Sequence, residues 1–307
     1  MEKPRPKLNS SKQSAQSTSW GAVANWYDEL LDGNPGASGS VAGNGGAGAT
    51  SDTYQSAVIL PNLTRLLEPK AGMTILDLAC GQGYFSRAWA EAGAKVIASD
   101  ISKELVDIAI KKGGKNISYH VAPAHKAEFC GTGSIDAVTC VLAIQNIENL
   151  SETVAEIGRV LKVGGKAYLV LNHPAFRIPK RSEWGYDESA KVQYRRLDGY
   201  MSESRTSIDM HPGQTAKKLS ALSAGQISYN KPRGGSEIAK QVVSQSTVSF
   251  HRPLQVYMKA FFKAGLLVRR LEEWTSHRKS LPGPKAQAED ASRKEFPLFM
   301  CIEVVKV

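Results

Sequence analysis

The chain has 307 residues, 42% hydrophobic and 22% charged, with a formal net charge of +10 and four cysteines. This length and apolar content suit one large domain or a domain with an insertion, and no run of 18 apolar residues calls for a membrane-spanning helix. Residues 1–19 are basic and Ser-rich without an apolar stretch, so they do not read as a secretory signal. Cys80, Cys130, Cys140 and Cys301 have no C-x-x-C spacing for zinc, and reduced thiols in a cytoplasmic protein fit their surroundings.

In chain order, residues 1–19 read as a disordered tail. Residues 20–31 (WGAVANWYDELL) have the spacing of a short amphipathic helix, and residues 33–49 form a Gly-rich linker. A helical pattern over 54–67, with a kink expected at Pro61, completes an N-terminal helical cover over residues 20–72. From residue 73 strand and helix patterns alternate. Strands are expected at 74–78, 95–99, 117–121, 135–142 and 166–171. Helices are expected at 84–91, 103–112 and 151–161, the last ended by Gly164 and Gly165. Alternating βα units imply an α/β fold with a doubly wound parallel sheet. Residues 172–252 break the rhythm and read as an insertion capping a substrate, in which 204–210 and 242–250 can pair as a hairpin around a long polar loop. A helix at 253–264 and strands at 266–271 and 298–305 end the domain.

The chemistry concentrates in residues 74–86, TILDLACGQGYFS. A buried strand delivers Asp77 to a small-residue turn with Gly81 and Gly83, and a helix follows whose first N–H groups are free. That is a nucleotide-like cofactor site at the carboxyl end of a parallel strand. Ser86 stands where the third glycine of a dinucleotide fingerprint would be, and no G-x-x-x-x-G-K-[ST] loop is present. A carboxylate at the turn repels a pyrophosphate and suits a cationic ligand such as S-adenosylmethionine. Asp100, 19 residues past Gly81, has the spacing of a carboxylate that grips ribose hydroxyls.

DLACGQG, Asp100, IDAVTCVLAIQNI and LKVGGKAYLVLNHPAF together resemble the class I S-adenosylmethionine-dependent methyltransferases of small-molecule type. The resemblance covers roughly residues 54–171 and resumes from His251 to the C-terminus. It implies a seven-stranded, Rossmann-like sheet of order 3-2-1-4-5-7-6 with the capping insertion after strand 5. It also implies S-adenosylmethionine as cofactor, held by Asp77, Ala79, Gly81, Gly83, Asp100, Ile101 and Tyr54. Many relatives place an acid after strand 3 for the adenine amine; Pro123 stands there, with His125 nearby as a substitute. Gln145 and Asn146, directly after strand 4, are candidates to orient a polar acceptor. His173, after strand 5, is the candidate general base.

Trp184, Tyr186 and Tyr194, interleaved with Arg177, Arg181, Arg195 and Arg196, are candidates for an aromatic, cationic substrate pocket together with His251. The charge is uneven. Residues 51–171 carry twelve basic and twelve acidic groups, whereas 172–252 carry thirteen and seven and 253–307 carry ten and six. A basic second half favours an anionic or aromatic small molecule, and leaves open single-stranded RNA or a protein as acceptor. A non-catalytic module that keeps the cofactor fold, and a nicotinamide-dependent oxidoreductase, are the remaining readings; Asp77 and Ser86 weigh against the oxidoreductase.

Overall fold

The computed structural model describes residues 20, 21, 24, 53–209 and 246–307. The expected tail, most of the helix at 20–31, the Gly-rich linker and the polar loop at 211–235 lie outside the described residues.

Five strands, β1 (Thr74–Leu78), β2 (Lys95–Asp100), β3 (Ile117–Val121), β4 (Ile135–Val141) and β5 (Leu161–Asn172), run parallel to one another. Two hairpins follow: β6 (Ser182–Asp187) pairs with β7 (Val192–Leu197), and β8 (Ser204–Asp209) with β9 (Ser246–His251). Then β10 (Leu266–Trp274) and β11 (Phe299–Lys306) complete the main sheet, antiparallel, in the order β10-β11-β5-β4-β1-β2-β3. This is the expected 3-2-1-4-5-7-6 order, with β11 the seventh sheet strand inserted beside β5.

The helices are α1 (Leu60–Leu67), α2 (Tyr84–Glu91), α3 (Lys103–Lys112), α4 (Leu150–Val160), α5 (Leu254–Lys263) and α6 (Ala286–Glu295). Leu63, Leu66 and Leu67 of α1 pack with Phe85 and Trp89 of α2 on one face of the sheet. Val154 and Ile157 of α4 pack with Tyr257 and Phe261 of α5 on the other. Both faces are covered, which is why β1, β4 and β5 read as nearly continuous apolar runs. Local signals set the helix ends. Ser102 caps α3 by accepting from the Leu105 N–H at 3.3 Å, Glu104 lies in its first turn, and Lys111 and Lys112 lie in its last.

Two boundaries differ from the sequence reading for identifiable reasons. Pro61 does not kink α1. A π-helical turn, Gln55–Ile59, precedes it and Pro61 falls at the start of α1, where its missing N–H is harmless. Gly164 and Gly165 do not end α4; the chain turns extended at Leu161, and the glycines lie inside β5. A Cβ on Gly165 would stand 2.8 Å from the Lys162 carbonyl and 3.2 Å from that of Asp136, so the pinch of β5 against β4 requires glycine. Of the expected pairing of 204–210 with 242–250, the described part is seen in the β8–β9 hairpin, and residues 210 and 242–245 lie outside the described residues; β6, β7 and α6 had no clear periodicity to announce them.

Candidate functional site

The carboxyl ends of β1, β2, β4 and β5 lie along one edge of the sheet, and the candidate residues gather there. After β1 the backbone turns through left-handed conformations at Ala79 (φ 58°), Gly81 (φ 56°) and Gly83 (φ 76°) before α2 begins. A non-glycine residue there is strained by roughly 1–2 kcal/mol. After β4, Leu142 repeats the feature with φ 53°. A Cβ on Gly83 would meet the Tyr119 hydroxyl at 2.7 Å, so a side chain at Gly83 would have to displace the tyrosine.

Two buried carboxylates brace the turn. Asp77, 2% exposed, accepts from the Ser86 hydroxyl at 2.5 Å and from the Thr139 hydroxyl at 2.9 Å. Burial pushes its pKa up to about 6 against the pull of those two bonds. Asp100, 6% exposed, accepts from the Gly81 N–H and the Ser102 N–H, both at 2.9 Å, and burial raises its pKa as well. Ser86, where a third dinucleotide glycine was absent, thus serves as the hydroxyl that orients Asp77. Ile101, beside Asp100, is 50% exposed and offers an apolar face. Gln82 Nε2, Ser99 Oγ and Tyr119 Oη are buried around the turn without a hydrogen-bond partner among the described residues. The glycines of the turn, the carboxylates and these open polar atoms fit the cofactor that the resemblance implies. Tyr54 stands apart: its hydroxyl is 3.1 Å from Ser276 Oγ, its ring meets Phe299 edge-on, and Arg278 covers its face.

A second feature lies beside this one, a narrow cleft of about 280 Å³ when the space open to solvent is counted, lined by Gln145, Asn172, Arg177, His251, Arg252 and Tyr257. Gln145 and Asn146 form a 3₁₀ turn, and both side-chain amides donate to the Leu142 carbonyl, at 2.8 and 3.3 Å. Arg177 donates to Asn172 Oδ1 at 2.7 Å, lies over the Phe299 ring, and has no carboxylate within ion-pairing distance among the described residues. Burial depresses its pKa, with Arg195 adding to the effect. His251, 4% exposed, has Nε2 2.7 Å from the Tyr200 carbonyl. A carbonyl only accepts, so Nε2 bears the proton and Nδ1 keeps a lone pair.

His173, the base candidate from sequence, has no nitrogen to spare. Its Nδ1 accepts from the Ala175 and Phe176 N–H groups, both at 3.2 Å, and its Nε2 donates to Glu273 at 2.6 Å. Burial lowers its pKa, opposed by Glu273, so the ring is neutral and ties the end of β5 to β10. The geometry thus leaves His173 with both ring nitrogens engaged. Trp184, Tyr186 and Tyr194 are not brought to the cleft. They lie on the β6–β7 hairpin, where Arg195 stacks on Trp184 at 4.8 Å, Phe296 meets Trp184 edge-on, Lys285 covers Tyr186, and Tyr194 lies across Gly185. Sequence reasoning passed over Arg252 and Tyr257. Their signal was faint: Arg252 adjoins His251 before α5, and Tyr257 is on the apolar stripe of that helix.

A family model described as a methyltransferase domain matches residues 76–169. The ubiquinone biosynthesis O-methyltransferase of Xanthomonas oryzae pv. oryzae is 35% identical over 102 residues, 32% of this chain and 43% of that protein. The chain thus spans less than half the length of this relative. The protein of the same description from Thiobacillus denitrificans is 31% identical over 174 residues, 50% of this chain and 75% of that protein. A crystal structure of an S-adenosylmethionine dependent methyltransferase from Mesorhizobium loti superposes with a TM-score of 0.59 at 22% identity, covering 83% of this chain and all of that one, and supports the fold. Among the described residues no helix is long and apolar enough to cross a membrane. With its methyltransferase domain matched and the Thiobacillus denitrificans relative covered over three quarters of its length, the chain belongs to the class I S-adenosylmethionine-dependent methyltransferases.

Proposed function

We propose that the protein transfers a methyl group from S-adenosylmethionine to an oxygen of a small-molecule acceptor held in the cleft. The observation that carries this reading is the adjacency of the two features: β1, which leads into the glycine turn, pairs directly with β4, which leads into the Leu142–Gln145 turn of the cleft. The relatives' description as ubiquinone biosynthesis O-methyltransferases supports a hydroxylated, quinone-type ring as the acceptor class.

Bound S-adenosylmethionine supplies an electrophilic methyl on a sulfonium, whose leaving group departs neutral and needs no acid. Asp100 receives ribose hydroxyls on the lone pairs that Gly81 and Ser102 leave free. Asp77 sets a negative field at the turn for the cationic amino-acid end, and Ile101 gives the adenine an apolar face. An acceptor hydroxyl must lose its proton to become a good nucleophile. His251 takes it on Nδ1, while the Tyr200 carbonyl holds the ring by Nε2–H. Gln145 and Asn146 fix the turn that aligns the acceptor, and alignment supplies most of the acceleration of an in-line displacement.

The test is incubation with S-adenosylmethionine carrying a deuterated methyl group, offered separately to a panel of small hydroxylated aromatics, to RNA and to protein extract. Mass label in the small-molecule panel is expected; label confined to RNA or protein overturns the reading. In calorimetry, Asp100→Ala should bind the cofactor at least tenfold more weakly than wild type, since each lost charge-assisted hydrogen bond is worth about 1.5–3 kcal/mol.

A further inference from the structure

Two buried polar side-chain atoms of cleft-lining residues lack partners, and they are of opposite kind. Arg252 is 6% exposed. Its Nη2 donates to the Ile147 and Glu148 carbonyls at 2.9 and 2.8 Å, and its Nε lies 4.0 Å from Glu203, whose carboxylate is largely in water. Its Nη1 has no hydrogen-bond partner among the described residues. Gln145 is 7% exposed, and its amide N–H is spent on Leu142, so Oε1 cannot be rescued by flipping the amide without losing that bond. Oε1 is likewise buried without a partner among the described residues. Buried polar atoms are nearly always satisfied, because leaving one unmade is costly, most of all on a charged group. A donor and an acceptor left open in one cleft describe the ligand that completes them.

The rest of the cleft agrees on charge. Tyr257 lies beside Arg252 and is fully buried in the α5 core. Its pKa stands at about 12 because burial outweighs the charge of Arg252 and the hydrogen bond from Arg252, so it is a neutral hydroxyl that accepts from Arg252 and keeps its own proton to donate. Arg177 adds a second guanidinium without a carboxylate. Among the described residues, the carboxylate that pairs with either of these two cations is that of Glu203, 4.0 Å from Arg252 Nε and largely in water.

We infer that the acceptor carries a carboxylate, received by Nη1 of Arg252 and the Tyr257 hydroxyl, and next to it a hydroxyl that donates to Oε1 of Gln145 and is distinct from the one whose proton passes to His251. This rests on the methyl-transfer reading above and narrows its substrate to hydroxy-carboxylic acids. A carboxylate suits the site better than a phosphate. Arg252 has one free terminal nitrogen rather than an open fork, and with Tyr257 it presents two donors for two oxygens.

The experiment measures binding of the three hydroxybenzoate isomers, the matching hydroxybenzamides and inorganic phosphate to the full chain saturated with S-adenosylhomocysteine, by saturation-transfer NMR and competition. At least one acid should bind tenfold or more tightly than its amide, and phosphate should not displace it. Equal binding of acid and amide, no binding of either, or displacement by phosphate overturns the inference, provided S-adenosylhomocysteine itself binds. If it does not bind, the methyl-transfer reading fails instead. Arg252→Met should abolish the preference for the acid and leave S-adenosylhomocysteine affinity within twofold. Arg252 also holds two backbone carbonyls, so Tyr257→Phe, which keeps the shape of α5, provides a second variant with an expected three- to tenfold loss confined to the acid. The wild-type acid–amide comparison decides the matter even where a variant does not fold.

Discussion

The glycine turn and the cleft share one edge of the sheet but are built in opposite ways. The turn is local: its carboxylates, its left-handed residues and its bracing hydroxyl Ser86 come from residues 77–102, with Thr139 alone reaching in from β4. It is acidic, and both carboxylates are already anchored. The cleft draws on three distant segments, the Leu142–Gln145 turn, the end of β5 and the β9–α5 junction, and it is cationic. Among the described residues both ends keep buried polar atoms open; the difference teaches that the cofactor end is assembled within one stretch of chain and is acidic, whereas the acceptor end is assembled by the fold and is cationic.

The sharpest way to break this contrast is through Asp77. Its pKa of about 6 in the folded chain lies above the ordinary 3.8, so the folded state binds the proton more tightly than the unfolded one. Stability of the ligand-free protein from this group therefore falls as pH rises from about 4 to about 6 and is flat above. The full penalty is on the order of 3 kcal/mol, and Asp100 shifts in the same direction. A cationic cofactor reverses the sign, because it favours the carboxylate. Affinity for S-adenosylmethionine should rise with pH up to about 6 and then level. Asp77→Asn should flatten the lower part of both curves, raise the melting temperature above pH 6, and weaken cofactor binding by tenfold or more. Melting curves and calorimetry between pH 4.5 and 8 read both effects; an unchanged affinity in the variant would remove Asp77 from the cofactor site.

The second contrast is between two histidines. His173→Ala removes an acceptor for two backbone N–H groups and a donor to Glu273, at a cost of about 2–3 kcal/mol of stability. The shape of the pH–rate profile should nonetheless stay as in wild type. His251→Ala should lower kcat by a hundredfold or more. If kcat instead collapses in His173→Ala and survives in His251→Ala, the two roles are reversed.

The sequence was legible where neighbours in the chain are neighbours in space. Residues 74–100 announced β1, the turn, α2 and β2, because an apolar run, two glycines and a following amphipathic segment have few alternative folds. The position of Asp100 relative to Gly81 was readable for the same reason, since one βα unit has a nearly fixed length. Nothing local distinguishes His173 from His251. Both follow a strand and precede a proline within two residues, and only the partners supplied by Phe176, Glu273 and Tyr200 separate a structural imidazole from one with a free lone pair. Likewise, the aromatic and basic alternation in 184–196 reads as a pocket wall or as a hairpin packed on a helix. The choice turned on α6, a polar segment with almost no apolar stripe.

That hairpin yields the smallest expected effect, and it tests the boundary of the cleft. Trp184 is 38% exposed, stacked by Arg195 and met edge-on by Phe296. Arg195 in turn holds the Phe176 carbonyl at 3.0 Å, and the Phe176 ring touches that of His173. Trp184→Ala removes one cation–π and one aromatic contact, about 1–2 kcal/mol together. The loss should appear as a lower melting temperature with kcat/KM unchanged. A rise in KM beyond threefold at full stability would mean that the hairpin reaches the acceptor, and that the aromatic pocket read from the sequence belongs to the substrate after all. The geometry favours the first outcome, because the path from Trp184 to the cleft runs through the His173 turn, whose bonds to Ala175, Phe176 and Glu273 do not depend on the tryptophan.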